Sequence, residues 1–195
     1  QDDITLQNVQ ARVRAPSAWM LANIKNALLL ATSNRSEASV GYATMDGDTS
    51  GSISPISGID KSFIRTWLLW LEAQGFKGLH LVNSLEPSAE LRPLSEKQVD
   101  EEDLMPYPIL NTIERLVFYD LLSPQECLEE VNKRYGAVFA KEKLEEFVRR
   151  FFRLWARNQW KRERYAPGFH VDDYSLDPKS WLRFPILSAG LEKDI

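Results

Sequence analysis

"ALLLATSNRSEASVGYATMDGDTSG", residues 27–51, sets the reading of the whole chain. It opens on a short run of large apolar residues and continues into hydroxyls, carboxylates and glycines. A continuous apolar run suits a short strand in a parallel sheet covered on both faces, so "ALLLATS" is read as a buried strand. The residues behind it, 34–58, read as a loop. Thr32 then sits where a strand ends, the ligand edge of an open α/β sheet. Glu37, Asp46 and Asp48 are hard oxygen donors of the type that holds Mg²⁺ beside phosphates. The glycines let backbone approach a ligand closely. On composition alone, a solvated turn fits this stretch as well as a ligand loop does.

Upstream, "ITLQNVQARVRAPSAWMLANIKN" has helical spacing, with Leu6, Val9 and Val13 along one side and a break expected at Pro16. Downstream, "DKSFIRTWLLWLEAQGF" predicts a helix capped by Asp60, with Phe63, Ile64, Trp67, Leu68 and Leu71 as its stripe. "GLHLVNS" is the second candidate strand. Residues 83–108 are rich in proline and charge and read as a mobile surface loop. Two helices follow, "YPILNTIERLVFYDLL" and "SPQECLEEVNKRYG", the second with Ser123 as cap and Pro124 at its first position. A long helix over 141–161 carries Leu144, Phe147, Val148, Phe151, Phe152 and Trp155 on one face. The remaining tail alternates aromatics with turn residues and should wrap over the surface.

The chain has 195 residues, 44% hydrophobic and 27% charged, enough for one domain with a real core. A net charge of -4 gives no push toward nucleic acid or membrane. No apolar run approaches the roughly 20 residues that span a bilayer. The single cysteine, Cys127, excludes an internal disulfide and fits a reducing cytoplasm, with the thiol acting as a packing residue. A lone buried strand cannot satisfy its own ladder. That fact, and a helix already under way by Ile4, lead us to expect a piece of a longer protein.

The cations of the long helix, Arg149 to Arg164 among them, are interleaved with glutamates, which is the pattern of a solvated face more than of a nucleic-acid stripe. Lys161 and Arg162 suit a phosphate or a carboxylate equally. His80 and His170 have no metal-ligand spacing, and Asp172–Asp173 reads as a capped turn.

Four strings, in order, carry a resemblance: "LQNVQARVR", "TSNRSEASVGYATMDGDTSGSISPISGIDK", "PSAELRP" and "NQWKRERYAPGFHVDDYSLDPKSWLRFPI". Together they resemble the C-terminal part of the glutamine-dependent NAD⁺ synthetases. The resemblance implies an α/β fold of the adenine-nucleotide α-hydrolase-like class, mostly helical in this portion with one or two parallel strands. It implies ATP and Mg²⁺ as the reaction's requirements: the nicotinate carboxylate of deamido-NAD⁺ is adenylylated, and ammonia then displaces AMP. It further implies a separate glutaminase domain that makes the ammonia from glutamine, and a homo-oligomer.

Site residues follow motif by motif. Thr32, Lys61 and Ser88 match ATP-contacting positions. Asn8, Arg12, Glu37, the stretch Tyr42, Ala43, Thr44 and Met45, and Lys161 match deamido-NAD⁺ positions, and Glu37 doubles as the Mg²⁺ carboxylate. Two positions depart from simpler ammonia-using relatives, which carry Lys and Asp where Met45 and Ser52 stand. The family's Ser-Gly-Gly-x-x-Ser pyrophosphate loop is absent from these 195 residues, as is the glutaminase domain. The 195 residues alone are therefore expected to lack synthetase activity. The alternative of a different class is a non-catalytic helical module derived from the same fold.

Overall fold

Three amphipathic helices hold most of the core of the chain, which is described by a computed structural model over residues 4–88, 100–186, 188 and 190–195. They are α6 (Tyr107–Phe118), α7 (Pro124–Tyr135) and α8 (Lys141–Arg157). Each spends its apolar stripe on the others. Ile109, Leu110, Ile113 and Leu116 of α6 meet Cys127, Leu128 and Val131 of α7 and Leu144, Val148, Phe151 and Phe152 of α8 in one buried cluster. Aromatic edges fill its centre, with Phe118 against Trp155 at 5.3 Å and Phe151 against Phe152 at 5.8 Å. Ser123 and Glu126 form the reciprocal capping box that starts α7. Cys127 is fully buried there as expected, and burial pushes its thiol up to about 12.

Ahead of this core lie α1 (Ile4–Lys25), α2 (Arg35–Val40), α3 (Lys61–Ala73), α4 (Leu79–Asn83) and α5 (Asp100–Asp103). After it come α9 (Gln159–Arg162) and the tail, which ends in a 3₁₀ turn at Glu192–Asp194. Tyr174 and Leu176 of the tail dock onto the same buried cluster, so the tail wraps as predicted. No described helix is long and apolar enough to cross a membrane.

Several expectations are corrected. "ALLLATS" forms no strand: its only pairing among the described residues is an isolated parallel bridge, Leu30 to Ile53, and Leu28 and Leu30 are exposed. A strand needs a neighbour along its length, and a single bridge supplies none. "GLHLVNS" is helical instead, in α4, where Asn83 Nδ2 donates to Leu68 O and Glu72 Oε2 on α3. Pro16 does not break α1; helix formers on both sides carry it across the missing hydrogen bond. The buried side of α1 is Ala11, Ala15 and Ala22, while Leu6, Val9 and Val13 are exposed.

The stretch 34–58 holds a helix, α2, as well as turns. The long helix stops at Arg157 and restarts as α9 after Asn158, whose φ of −105° and ψ of 16° leave the helical region. Within 83–108, α4 ends, α5 forms and α6 begins, while residues 89–99 lie outside the described residues.

Candidate functional site

The site is organised around α2, only six residues long. Asn34 caps it by accepting from Glu37 N at 3.0 Å, and Gly41 ends it with φ 66°, a left-handed conformation suited to glycine. Its first three residues each tie it to the start of α3. Arg35 Nη2 lies 3.5 Å from Asp60, the side chain that caps α3. Ser36 Oγ accepts from Lys61 N at 2.9 Å and donates to Asn111 Oδ1 at 2.5 Å. Lys61 Nζ donates to Glu37 Oε1 at 2.8 Å. Asn111 Nδ2 closes the network on Asp60 Oδ1 and Ser62 Oγ. The two helix starts are thus locked in register.

Arg35 is a buried cation whose partners run from the buried Glu114 to the partly exposed Asp172. Its Nε donates to Glu114 Oε1 at 2.6 Å and its Nη1 to Asp172 Oδ2 at 2.6 Å and Gly58 O at 3.0 Å, while Tyr174 lies under the guanidinium at 4.2 Å. Burial raises the Glu114 carboxyl above its ordinary range, and Arg35 opposes that shift.

The C-terminal end of α2 is held from far along the chain. Asn158 Nδ2 donates to Val40 O at 2.8 Å. Arg162 Nη1 donates to Ala38 O and Ser39 O at 3.1 and 2.9 Å, and its Nη2 to Trp155 O. Lys161 Nζ donates to Gly41 O at 2.7 Å and Ala43 O at 2.8 Å. A helix leaves its last carbonyls unpaired; here the side chains of 158–162 satisfy them, and cations at that end suit the helix dipole. Arg162 is fully buried on carbonyls, and desolvation lowers it to about 10.

Beside this clamp lies a cleft of about 440 Å³. Asn8 and Arg12 from α1, Tyr42, Ala43, Thr44 and Met45 from the turn after α2, and Lys161 from α9 all line it. Every dinucleotide residue predicted from the sequence except Glu37 therefore faces one space. Arg12 Nε donates to Met45 O at 3.1 Å and Asp48 Oδ2 accepts from Thr44 N at 2.9 Å, which fixes the turn. Met45 is buried, so its side chain packs while its carbonyl serves Arg12. Burial lowers the Lys161 ammonium, with Asp48 opposing. The cleft carries mixed charge, Arg12 and Lys161 beside Asp48 and Asp103, with Trp160 as an aromatic face, so it can pair the anionic end of a planar ligand with its two cations.

The remaining predicted residues lie elsewhere. Glu37 and Lys61 are outside the cleft lining and paired with each other. Thr32 is exposed just ahead of α2, and Ser88 is exposed at the edge of the described residues. Asp48, read from the sequence as a hard oxygen donor of the ligand loop, lines the cleft as well, whereas Ile4, Gln7, Gly41, Asp103 and Trp160 were missed as cleft residues. Trp160 stood beside Lys161 in "QWKRE", a signal that was available. Asp103 comes from α5, whose docking, through Tyr42 donating to Asp103 Oδ2 at 2.9 Å, no local pattern announces.

The NAD synthase family profile matches residues 1–164. The glutamine-dependent NAD(+) synthetase of Xanthomonas campestris is 34% identical over 191 residues, covering 97% of this chain and 32% of that protein. That of Synechocystis is 32% identical over 183 residues, covering 94% of this chain and 30% of that protein. A crystal structure of a glutamine-dependent NAD(+) synthetase from Cytophaga hutchinsonii superposes with a TM-score of 0.80 at 49% identity, covering 98% of this chain and 30% of that one. The chain thus spans about a third of the length of such relatives. A profile match over most of its length, and this likeness of sequence and structure, place the chain in the NAD synthase family.

Proposed function

We propose that this chain supplies the deamido-NAD⁺ cleft and part of the ATP site of a glutamine-dependent NAD⁺ synthetase. The observation that carries the reading is the gathering of Asn8, Arg12, the 42–45 turn and Lys161 around one cleft. The dinucleotide's phosphates and nicotinate carboxylate meet Arg12 and Lys161, and the carbonyls and hydroxyl of 42–45 orient it. Lys61 and Glu37, at the joined starts of α2 and α3, serve the nucleotide. The carboxylate attacks the α-phosphorus of ATP and expels pyrophosphate, and ammonia derived from glutamine then adds to the acyl-adenylate and displaces AMP to leave the amide.

Among the described residues no group of three His, Cys, Asp or Glu side chains forms a metal cage. One carboxylate, Glu37, fits Mg²⁺ that arrives with phosphates and keeps most of its waters. Bound there, the ion would neutralise phosphate charge. Thr32 and Ser88 are further nucleotide contacts in this reading. The rest of the polypeptide supplies the pyrophosphate loop and the glutaminase domain, and the enzyme is a cytoplasmic homo-oligomer. The 195 residues alone are inactive.

Replacing Lys161 with Ala in the intact enzyme tests the site. The KM for deamido-NAD⁺ rises by an order of magnitude or more, about 1.4 kcal/mol, with the KM for ATP little changed. An unchanged KM for deamido-NAD⁺ refutes the assignment.

A further inference from the structure

The family match ends at residue 164, yet residues 167–174 reach under the locked starts of α2 and α3. Ser54 N donates to Pro167 O at 2.8 Å and Ser54 bridges Gly168 in parallel, at the loop that leads into α3. A Cβ on Gly168 would stand 1.8 Å from Ser57 Oγ and would turn that hydroxyl off Ser54 O, so the two segments approach closely here. Four residues on, Asp172 accepts from Arg35. Tyr174, fully buried, donates its hydroxyl to Glu114 Oε1 at 2.7 Å, the same oxygen that accepts from Arg35 Nε. Glu114 Oε2 has no hydrogen-bond partner among the described residues. The Tyr174 hydroxyl is thus the second bond that keeps the carboxylate turned toward Arg35.

All three guanidinium nitrogens of Arg35 are used, by α6, by the Gly58 carbonyl, by the α3 cap and by the tail. A planar fork held on every nitrogen has a single orientation. Without the tail, its strongest remaining anchor is Glu114, which has lost its own second bond. Arg35 is followed directly by Ser36 and Glu37, the residues that grip Lys61.

We propose that Asp172 and Tyr174 are positioning residues for the nucleotide half of the site. They hold Arg35, and through it the register of α2 against α3 that sets Glu37 opposite Lys61. The inference rests on the reading that Lys61 serves ATP.

The test compares Asp172→Asn, Asp172→Glu, Tyr174→Phe and Lys61→Ala in the intact enzyme, by steady-state kinetics and thermal melting. The first and third raise the KM for ATP roughly 3- to 10-fold and leave that for deamido-NAD⁺ within about twofold, because only one half of the site is displaced. Asp172→Glu restores part of the loss. Asp172 is partly exposed, so its variants fold even where Tyr174→Phe does not. A raised KM for ATP in Lys61→Ala but not in the tail variants overturns the positioning role and leaves the functional reading intact. An unchanged KM for ATP in Lys61→Ala overturns both. Equal rises in both KM values, or a lowered melting temperature with unchanged kinetics, reduce the tail to a structural brace and overturn the proposal.

Discussion

Helices α8 and α3 carry the same kind of stripe and meet opposite fates. Leu144, Val148, Phe151 and Phe152 of α8 are buried almost completely. On α3 no residue is buried, and Phe63 and Trp67 are 57% and 42% exposed. Further exposed apolar side chains stand on α1, at Leu6, Val9 and Val13, and in and after α4, at Leu81, Val82 and Leu85. A periodic stripe announces that a helix has an apolar face; it does not say which part of the polypeptide covers it. Exposed apolar surface on this scale marks a face that packs elsewhere, in keeping with a chain that spans about a third of its relatives.

Substitutions can break or sharpen that contrast. Phe151→Ala empties the centre of the α6–α8 core and lowers stability by about 3–5 kcal/mol in chemical denaturation, in the 195-residue chain and the intact protein alike. Gly41→Ala comes next, at about 2 kcal/mol by the same measurement. It puts a Cβ into the left-handed region and 2.3 Å from Asn158 Cβ, so the cleft wall must shift. Trp67→Gln changes the 195-residue chain by less than about 0.5 kcal/mol, since Trp67 packs against little there. In the intact protein the same change costs more than about 1 kcal/mol. Equal effects in the two contexts would show that the α3 face stays open.

Smallest is Asp100→Asn. Asp100 is buried, Tyr107 donates to it at 3.1 Å, and burial raises its carboxyl above the usual 3.8. A carboxyl raised on folding contributes its stability below the unfolded value and loses it as pH rises through the folded one. At pH 7 the ionised group is therefore unfavourable. The substitution, which keeps the shape and removes the charge, raises stability at neutral pH by about 1 kcal/mol or less. In a melting series the gain disappears below about pH 4, where the native carboxyl is itself neutral.

The same contrast explains what could be read from the sequence. Local signals were reliable where the chain supplies its own partner: the caps Asp60 and Ser123, the α8 stripe, and the burial of Cys127. They failed where the partner is distant or absent. "ALLLATS" has the composition of a strand but one bridge to pair with. "GLHLVNS" became helix because α3 offers it a carboxylate and a carbonyl. The cleft was readable through motif resemblance, since Arg12, Thr44 and Lys161 are brought together from three separate stretches. Asp172 looked like a turn residue. Its Asp173 N to Asp172 Oδ1 bond of 2.7 Å is indeed present, but its other oxygen serves an arginine 137 residues away.

The grip of Asn158, Lys161 and Arg162 on α2 also bears on the order in which the molecule assembles. These contacts join positions 118 to 124 residues apart. Closing such a loop is entropically unfavourable and is not repaid by any neighbour in sequence. Until α8 has docked and α9 has followed it, the carbonyls of Ala38 to Ala43 have only short-range bonds, such as Gly41 N to Ala38 O and Ala43 N to Gly41 O, to hold them in place. The cleft is consequently a late product of folding, and the first turn of α9 to fray would take the wall with it.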